Sequence, residues 1–245
     1  MLDAYGLSDP GCVRSNNEDW FVKDEKSGIF ILADGMGGAN AGEYAARLSA
    51  ETLYEYLLNP ANRDAPEALE QGLFQVNSAV RQAAAGNPDL EGMGTTLLVA
   101  RVMRNIGEGC LQISSVGDSR AYLCSNGSPN GTLSLLTQDQ TWVAEVGSRL
   151  GLSDDALKKH PMRHVLTMAV GSTDELRVFS RSVEIKLSDQ ILLCSDGLHG
   201  VLNEKTLGET LHSEKTLPEK CHYLVEAAKS AGGPDNVTVV LIQLV

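Results

Sequence analysis

The sequence predicts an α+β fold in which antiparallel sheets are covered by helices. Apolar runs of strand length recur along the chain, and several are joined by short turns rich in Gly, Asn, Asp and Pro. Such hairpin connections indicate antiparallel pairing. Longer amphipathic stretches occur in pairs, which indicates helices that pack on the faces of the sheets. A length of 245 residues with 42% hydrophobic content suits one domain spanning residues 1–245.

The strands are predicted from branched and apolar runs that are bounded by turn-forming residues. In chain order they cover residues 3–8, 20–23, 29–34, 93–104, 110–119, 120–125, 132–137, 177–185, 190–197 and 237–245, with a turn at 125–131. Apolar residues at helical spacing predict helices over 41–58, 65–85, 203–211 and 217–230.

Residues 138–163 lack a clear period and contain only short helical pieces among polar residues. We interpret this segment as an inserted surface flap. Asp139 is interpreted as the cap of a short helix, since Asp is common at that position.

The stretch from Ile29 to Gly38 is an apolar strand that ends abruptly in Asp34 and a glycine cluster, followed by a helix. A carboxylate at the edge of a core costs free energy unless something compensates it. The glycine signatures of dinucleotide and phosphate loops are absent, because Asn40 stands where a glycine is needed and the chain has no Gly-Lys pair. Taken alone, this stretch fits a turn and a ligand site equally well.

The composition excludes several classes of partner. The net charge of −12 and the sequence pI of about 4.8 disfavour nucleic acid and anionic membrane surfaces. We expect no secretion signal and no membrane span, because no apolar run approaches the roughly 20 residues that a bilayer requires. The five cysteines are dispersed and are interpreted as reduced, mostly buried thiols of a cytoplasmic protein.

Acidic residues stand at the ends of predicted strands in five separate stretches: Glu18 with Asp19, Asp34, Asp118, Asp196 and Asp235. Turn chemistry explains any one of them. If the strand ends meet at one edge, however, several carboxylates converge, and they cannot all stay ionised without a cation. Carboxylate and carbonyl oxygens suit Mg²⁺ or Mn²⁺ better than Zn²⁺. Gly35 strengthens this hypothesis, because a residue without a side chain lets its carbonyl approach an ion.

Arg14 lies on the loop that carries Glu18 and Asp19. A guanidinium there could clamp a phosphate with two parallel hydrogen bonds, although a surface ion pair with a neighbouring acid is the simpler interpretation of this residue alone.

The sequence motifs of two other kinds of site, a cysteine phosphatase and a zinc site, are absent. No cysteine is followed at the required spacing by the arginine of a cysteine phosphatase, and no C-x-x-C pair favours a zinc site.

The sequence resembles the metal-dependent protein phosphatases of type 2C, especially single-domain bacterial serine/threonine phosphatases. The matching stretches are SDPGCVRSNNED, LADGMGG, GTT, VGDSRAY, LLCSDGL and GGPDNVTVV, which occur in the family's order and span nearly the whole chain. The resemblance implies a four-layer α-β-β-α sandwich, in which two mostly antiparallel sheets are flanked by helix pairs. The metal site would lie at one end of this sandwich, with the flap beside it.

The resemblance also implies roles for the acids. Asp34 would bridge two tightly bound Mn²⁺ or Mg²⁺ ions and would be catalytic together with Arg14, the phosphate-binding residue. Gly35, Asp196 and Asp235 would complete the first ion's shell, and Glu18 and Asp19 would act nearby, partly through water. Asp118 would hold a weaker third ion together with Asp196.

The implied reaction is hydrolysis of phosphoserine and phosphothreonine on proteins. A water that bridges the metals would attack phosphorus in line, without a phosphoenzyme. The expected partners are phosphorylated proteins and a cognate Ser/Thr kinase, and the protein is expected to be a monomer. One departure stands out: the family's usual general-acid histidine is absent, since Ala39 and Met36 occupy its positions. His164 and His199 are candidates to replace it. The alternatives are a non-catalytic regulator that binds phosphoproteins and a small-molecule phosphohydrolase.

Overall fold

The computed structural model of the protein describes residues 1–63, 65, 67–104, 108–125, 132–147, 149–153, 156–157 and 160–245. Within them the strands are β1 (Leu2–Asp9), β2 (Asp19–Asp24), β3 (Ile29–Met36), β4 (Gly94–Thr95), β5 (Leu97–Arg104), β6 (Glu108–Val116), β7 (Arg120–Ser125), β8 (Thr132–Leu135), β9 (Phe179–Lys186), β10 (Gln190–Cys194) and β11 (Val237–Leu244). The first sheet has the order β1-β11-β10-β7-β8, and the second has the order β2-β3-β5-β6-β9 with β4 added to β3.

The helices lie outside this sandwich of sheets. They are α1 (Ala39–Leu58), α2 (Pro60–Arg63), α3 (Ala68–Gly86), α4 (Asp196–His199), α5 (Glu204–His212) and α6 (Leu217–Ser230). Helices α1 and α3 share a core with the second sheet, and α5 and α6 share one with the first. The predicted four-layer α-β-β-α sandwich is therefore confirmed, and every pairing between the named strands is antiparallel.

Strand β3 shows why its sequence is apolar without alternation. Ile29, Ile31 and Ala33 pack toward α1 and α3, whereas Phe30 and Leu32 lie between the two sheets. Successive side chains of a strand point to opposite faces, and both faces of β3 are covered. The strand therefore has no solvent-facing position until it reaches Asp34.

The strand registers bring distant parts of the chain to one end of the sandwich. The pairs at this end are Asp9 with Val237, Cys194 with Val239, Arg120 with Cys194, and Asp19 with Asp34. All the acids predicted from the sequence lie in these pairs or within two residues of them along the chain. The common edge that the prediction required is therefore present.

Some predicted boundaries are wrong. Strand β10 ends at Cys194, and Asp196 begins α4 instead of extending the strand. The strand predicted over 93–104 is divided into β4 and β5 at Thr96. Of the turn predicted at 125–131, residues 126–131 lie outside the described residues. No helix in the described part of the chain has the length and apolar character needed to cross a bilayer.

The predicted flap leaves and rejoins the body of the protein at adjacent points. The backbone amide of Trp142 donates to the carbonyl of Val165, and Thr141 and Leu166 form an isolated β-bridge. Within the flap, the rings of Trp142 and His160 stack with centroids 4.6 Å apart. Residues 148, 154–155 and 158–159 of this segment lie outside the described residues.

Candidate metal centre

A cleft of about 720 Å³ opens at the end of the sandwich where the acids meet. Its lining includes these residues that the sequence singled out: Arg14, Glu18, Asp34, Gly35, Asp118, Asp196 and Asp235. Asp19 lies behind this surface and is only 5% exposed. The structure thus brings together side chains that are up to 221 positions apart in the chain.

The backbone around Asp34 is held by two threonines at the break between β4 and β5. The Asp34 amide donates to Thr96 Oγ1 at 3.0 Å, and the Asp34 carbonyl accepts from Thr95 Oγ1 at 2.9 Å and from the Thr96 amide at 2.8 Å. A Cβ atom on Gly35 would lie 2.2 Å from the carbonyl oxygen of Gly42 in α1. Only glycine fits at position 35, so the last residues of β3 pack directly against the start of α1.

Asp19 is directly opposite Asp34 in the register of β2 and β3. One of its carboxylate oxygens, Oδ2, accepts a hydrogen bond of 2.8 Å from the Ser195 hydroxyl. The other, Oδ1, is buried without a hydrogen-bond partner. A buried carboxylate oxygen without a partner is costly, which is the condition that a nearby cation or its bound water would relieve.

Glu18 is positioned from three directions. Asn16 Nδ2 donates to Glu18 Oε1 at 3.1 Å, and the Glu18 amide donates to Asn236 Oδ1 at 2.9 Å. A Cβ atom on Gly42 would lie 1.8 Å from Glu18 Oε2, so the start of α1 leaves room for this carboxylate only because residue 42 is glycine.

Asp118 and Asp196 form the opposite wall of the cleft. Asp118 follows Gly117, whose φ of +98° favours glycine. Asp196 begins α4, where its side chain can interact with the positive end of the helix dipole. His164, at the end of the flap, places Nδ1 3.5 Å from Asp196 Oδ2.

Arg14 lies in the cleft as expected, but its ion-pair partner is not on its own loop. Its Nη2 donates to Asp235 Oδ2 at 2.8 Å, and half of the arginine side chain is exposed. The neighbouring Asn236 is buried and donates to the carbonyls of Pro10 and Asn16. The loop that carries Arg14 is thus tied to the start of β11.

The electrostatics show how poorly these carboxylates tolerate each other. Burial, followed by the negative charges of Asp19 and Asp196, raises the pKa of Asp34 well above its ordinary value. Burial raises the pKa of Asp19 to about 7, although the Ser195 hydrogen bond acts in the opposite direction. Burial, followed by the charge of Asp196, raises the pKa of Asp118.

Asp196 behaves differently from these carboxylates. Burial acts to raise its pKa, but the hydrogen bond from His164 and the positive charge of Arg14 lower it below the ordinary value. Among these carboxylates, the pKa of Asp196 is therefore shifted in the direction opposite to those of Asp34, Asp19 and Asp118.

These residues fit a hard divalent cation. The group combines repelling carboxylates, a buried carboxylate oxygen without a hydrogen-bond partner and a strand position that only glycine fits, and it contains no thiolate. Among the described residues, no three or more His, Cys, Asp and Glu side chains form a ready-made ligand set. Mg²⁺ commonly binds through one or two carboxylates and keeps several waters, so such an ion does not require a complete protein cage.

Sequence reasoning missed the residues that support the acids. Asn236, Ser195 and Thr96 use their side chains to hold other loops of the site. Their positions next to Asp235, next to Asp196 and in the GTT stretch are the signals that could have identified them. The interpretation of Asp139 as a helix cap is wrong: its carboxylate accepts three hydrogen bonds from Arg120, at 2.7–3.2 Å.

Proteins with similar sequences and folds are serine/threonine phosphatases. The family model for protein phosphatase 2C matches residues 14–232. A serine/threonine phosphatase, Stp of Listeria innocua, is 35% identical over 249 residues, which cover 99% of this chain and 96% of that protein. The crystal structure of the Mycobacterium tuberculosis serine/threonine phosphatase PstP/Ppp superimposes with a TM-score of 0.87 at 34% identity, covering 99% of this chain and 98% of that one. A structure of the PstP catalytic domain in complex with 2 manganese ions gives a TM-score of 0.85 at 33% identity, with coverage of 99% and 97%.

Proposed function

The chain belongs to the protein phosphatase 2C family, and from this premise we propose that it hydrolyses phosphoserine and phosphothreonine on proteins with the help of divalent cations. The observation that carries the proposal is the convergence of Glu18, Asp34, Asp118, Asp196 and Asp235 with Arg14 in one cleft. The manganese ions in the PstP structure support a metal-dependent reaction.

The roles proposed for the acids are those that the resemblance to the family implies, and the presence of these side chains in or beside one cleft supports them. Asp34 would be shared by two Mn²⁺ or Mg²⁺ ions, with the Gly35 carbonyl on one of them, and Asp196 and Asp235 would complete the shell of the first ion. Glu18 and Asp19 would act at the edge of the pair, partly through water. Asp118 would hold a weaker third ion together with Asp196. Divalent cations held by these residues would supply the activation of water for attack on phosphorus near neutral pH.

Arg14 would bind and orient the phosphate. Its guanidinium lies at the mouth of the cleft and can present two parallel N–H groups to phosphoryl oxygens. Its present partner, Asp235, is one of the proposed metal ligands. A cation on Asp235 would compete for that carboxylate and leave the guanidinium available to the substrate.

Attack by water, rather than by the protein, is supported by the lining of the cleft. The described residues that line it include no Ser and no Cys. Thr96 is the one hydroxyl-bearing residue among them, and its Oγ1 already forms hydrogen bonds with the Asp34 amide and the Ser119 hydroxyl. The described part of the lining therefore offers no Ser or Cys nucleophile, and the proposed reaction is in-line displacement by water without a phosphoenzyme.

Of the two histidines that could replace the missing general acid, His164 is the better candidate. His199 does not line the cleft, and its Nε2–H donates to the Asp118 carbonyl at 2.9 Å. Burial lowers the pKa of His199 to about 4, so this ring is neutral at pH 7. His164 lines the cleft and about half of its side chain is exposed, which allows it to reach a leaving oxygen.

The shape of the cleft favours a peptide over a small metabolite. Two apolar side chains on its rim, Met36 and Val165, are 38% and 44% exposed. They come from different segments, the last residue of β3 and the chain just after the flap. Apolar side chains beside an acidic floor would suit residues that flank a phosphoserine or phosphothreonine.

The proposal is tested by assaying the full chain with saturating MnCl₂ on a phosphothreonine peptide and on p-nitrophenyl phosphate, with EDTA as the control. We expect manganese-dependent turnover of both. No turnover by metal-replete protein would favour the non-catalytic regulator that the positions of Ala39 and Met36 leave open. Preference for a phosphorylated metabolite over the peptide would favour a small-molecule phosphohydrolase.

A further inference from the structure

The first residues of the flap hold the loop that carries Asp118. Gln140 forms two hydrogen bonds with Gly117, the residue before Asp118: its amide donates to the Gly117 carbonyl at 3.0 Å, and its Oε1 accepts from the Gly117 amide at 2.8 Å. The Gln140 side chain is buried, with 7% exposure of the residue. Both backbone groups of Gly117 are thereby fixed by one residue of the flap.

The remaining polar groups of Gln140 tie the two ends of the flap together. Its carbonyl accepts from the amide of Thr167, where the flap returns to the body of the protein, at 2.9 Å. Its Nε2 donates to the Arg177 carbonyl at 2.8 Å. The backbone amide and carbonyl of Gln140 and both polar atoms of its side chain therefore have partners, and together they connect the start of the flap to Gly117, Thr167 and Arg177.

The other side of Asp118 is held by the same part of the flap. Arg120, two residues after Asp118, donates from Nε and Nη2 to the carboxylate of Asp139 and from Nη1 to the Tyr122 hydroxyl at 3.0 Å. Both partners in the ion pair are largely buried, with side-chain exposures of 24% for Arg120 and 16% for Asp139. Residues on both sides of Asp118 in the chain are therefore held by the start of the flap: Gly117 by Gln140, and Arg120 by Asp139.

We propose that Gln140 is a positioning residue that sets the location of the Asp118 carboxylate and thereby the affinity of the weaker cation site. This inference rests on the proposed function. Residues that orient a metal ligand typically change metal affinity by about 10- to 100-fold when they are replaced.

The test compares Gln140→Met with Gln190→Met, a matched control. Gln190 is also a buried glutamine, 3% exposed, whose side chain accepts from Lys220 Nζ and donates to the Leu211 carbonyl, both at 3.1 Å. It lies at the opposite end of β10 from the cleft. Both substitutions leave buried backbone or side-chain groups without partners, but only the first touches the Asp118 loop.

Manganese binding is measured by electron paramagnetic resonance, which counts bound ions without requiring turnover. We expect Q140M to retain the tightly bound ions and to bind the weaker one about 10- to 100-fold less well. Its kcat at limiting manganese should fall, with little change in KM for p-nitrophenyl phosphate. Q190M should match the wild type in ion affinity, even where it lowers the melting temperature.

The inference would be overturned if folded Q140M protein bound the weaker ion with the same affinity as the wild type. It would also be overturned if the wild type bound no weaker ion. If Q140M does not fold, Gln140→Asn and Gln190→Asn replace the pair. The shorter amide keeps the polarity but cannot span Gly117 and Arg177, so Q140N should weaken the ion selectively, and equal affinities would again overturn the inference. Failure of the proposed function is distinguishable, because the wild type would then show no manganese-dependent turnover.

Discussion

Asp19 and Asp34 face each other directly across β2 and β3, at the point where the second sheet meets the cleft. Like charges directly opposite on antiparallel strands are destabilising. Here the arrangement is costlier still, because Asp19 is buried and has one oxygen without a partner. Protons or cations must offset this repulsion, and the choice between them gives the fold a measurable dependence on pH and on metal.

Without divalent cations, the protein should lose stability as the pH rises. Burial raises the pKa of Asp19 from 3.8 to about 7, so the folded state binds a proton that the unfolded chain has released. The stabilisation is complete below the unfolded pKa and is lost as the pH passes from about 4 to about 7, since stability falls wherever the folded state binds more protons. The melting temperature measured in EDTA should decrease across this range.

Asp19→Asn is the variant that checks the origin of this slope. It removes the titrating carboxylate and its repulsion with Asp34, so the decrease should become shallower. Saturating Mn²⁺ should reverse the slope of the wild type, because metal binding requires deprotonated carboxylates and therefore strengthens with pH. A melting temperature in EDTA that rises steadily from pH 4 to pH 7 would contradict the assignment.

Asp34→Asn should abolish turnover while leaving the protein folded. The side chain keeps its shape but loses the charge proposed to be shared by two cations, so kcat should fall by more than about 100-fold, beyond the usual effect of altering a supporting residue. In EDTA the variant should be at least as stable as the wild type, because one repelling charge is gone. Asp3→Asn, an exposed change at the opposite end of β1, is the control. Substantial activity of D34N at saturating manganese would refute the role.

Arg14→Ala should act mainly on substrate binding. We expect KM for a phosphothreonine peptide to rise by about 10-fold, which is about 1.4 kcal/mol and close to the lower end of the range for a hydrogen bond to a charged group. Arg14→Lys should recover only part of this loss, because lysine cannot form two parallel hydrogen bonds. Steady-state kinetics at saturating Mn²⁺ measure both variants. An unchanged KM in R14A would show that this guanidinium does not bind the phosphate.

His164→Gln should distinguish substrates by their leaving groups. A serine or threonine alkoxide needs a proton as it departs, whereas p-nitrophenolate does not, so kcat should drop by about 100-fold on the phosphopeptide and only a few-fold on p-nitrophenyl phosphate. His222→Gln, which changes a histidine that contacts Tyr5 away from the cleft, should alter neither. An equal loss on both substrates would mean that His164 does not serve the leaving group.

Much of the fold and the acid set could be predicted from the sequence, because both follow from local patterns. The apolar run of β3 identified a strand, and the acids at strand ends converge because the antiparallel registers bring those ends together. The secondary structure at Asp196 was harder to predict from the sequence. Its Asp-Gly pair is typical of a turn, yet Ser195 is extended and Asp196 starts a helix.

The supporting residues could not be predicted, since their partners are backbone groups far away in the sequence. Gln140 binds Gly117 and Arg177, and Asn236 binds Pro10 and Asn16. No periodic pattern or motif in the flap sequence predicts such contacts. The break at Thr96 has the same cause, because the threonine leaves the regular ladder to bind Asp34.

The central claim, that these acids form a site for divalent cations, is tested most directly by diffraction from crystals soaked in MnCl₂, with data collected at the manganese absorption edge. We predict anomalous density in the cleft beside Asp34, with one strong peak in contact with Asp196 and Asp235 as well. A well-ordered cleft at saturating manganese that shows no anomalous peak beside Asp34 would contradict the claim.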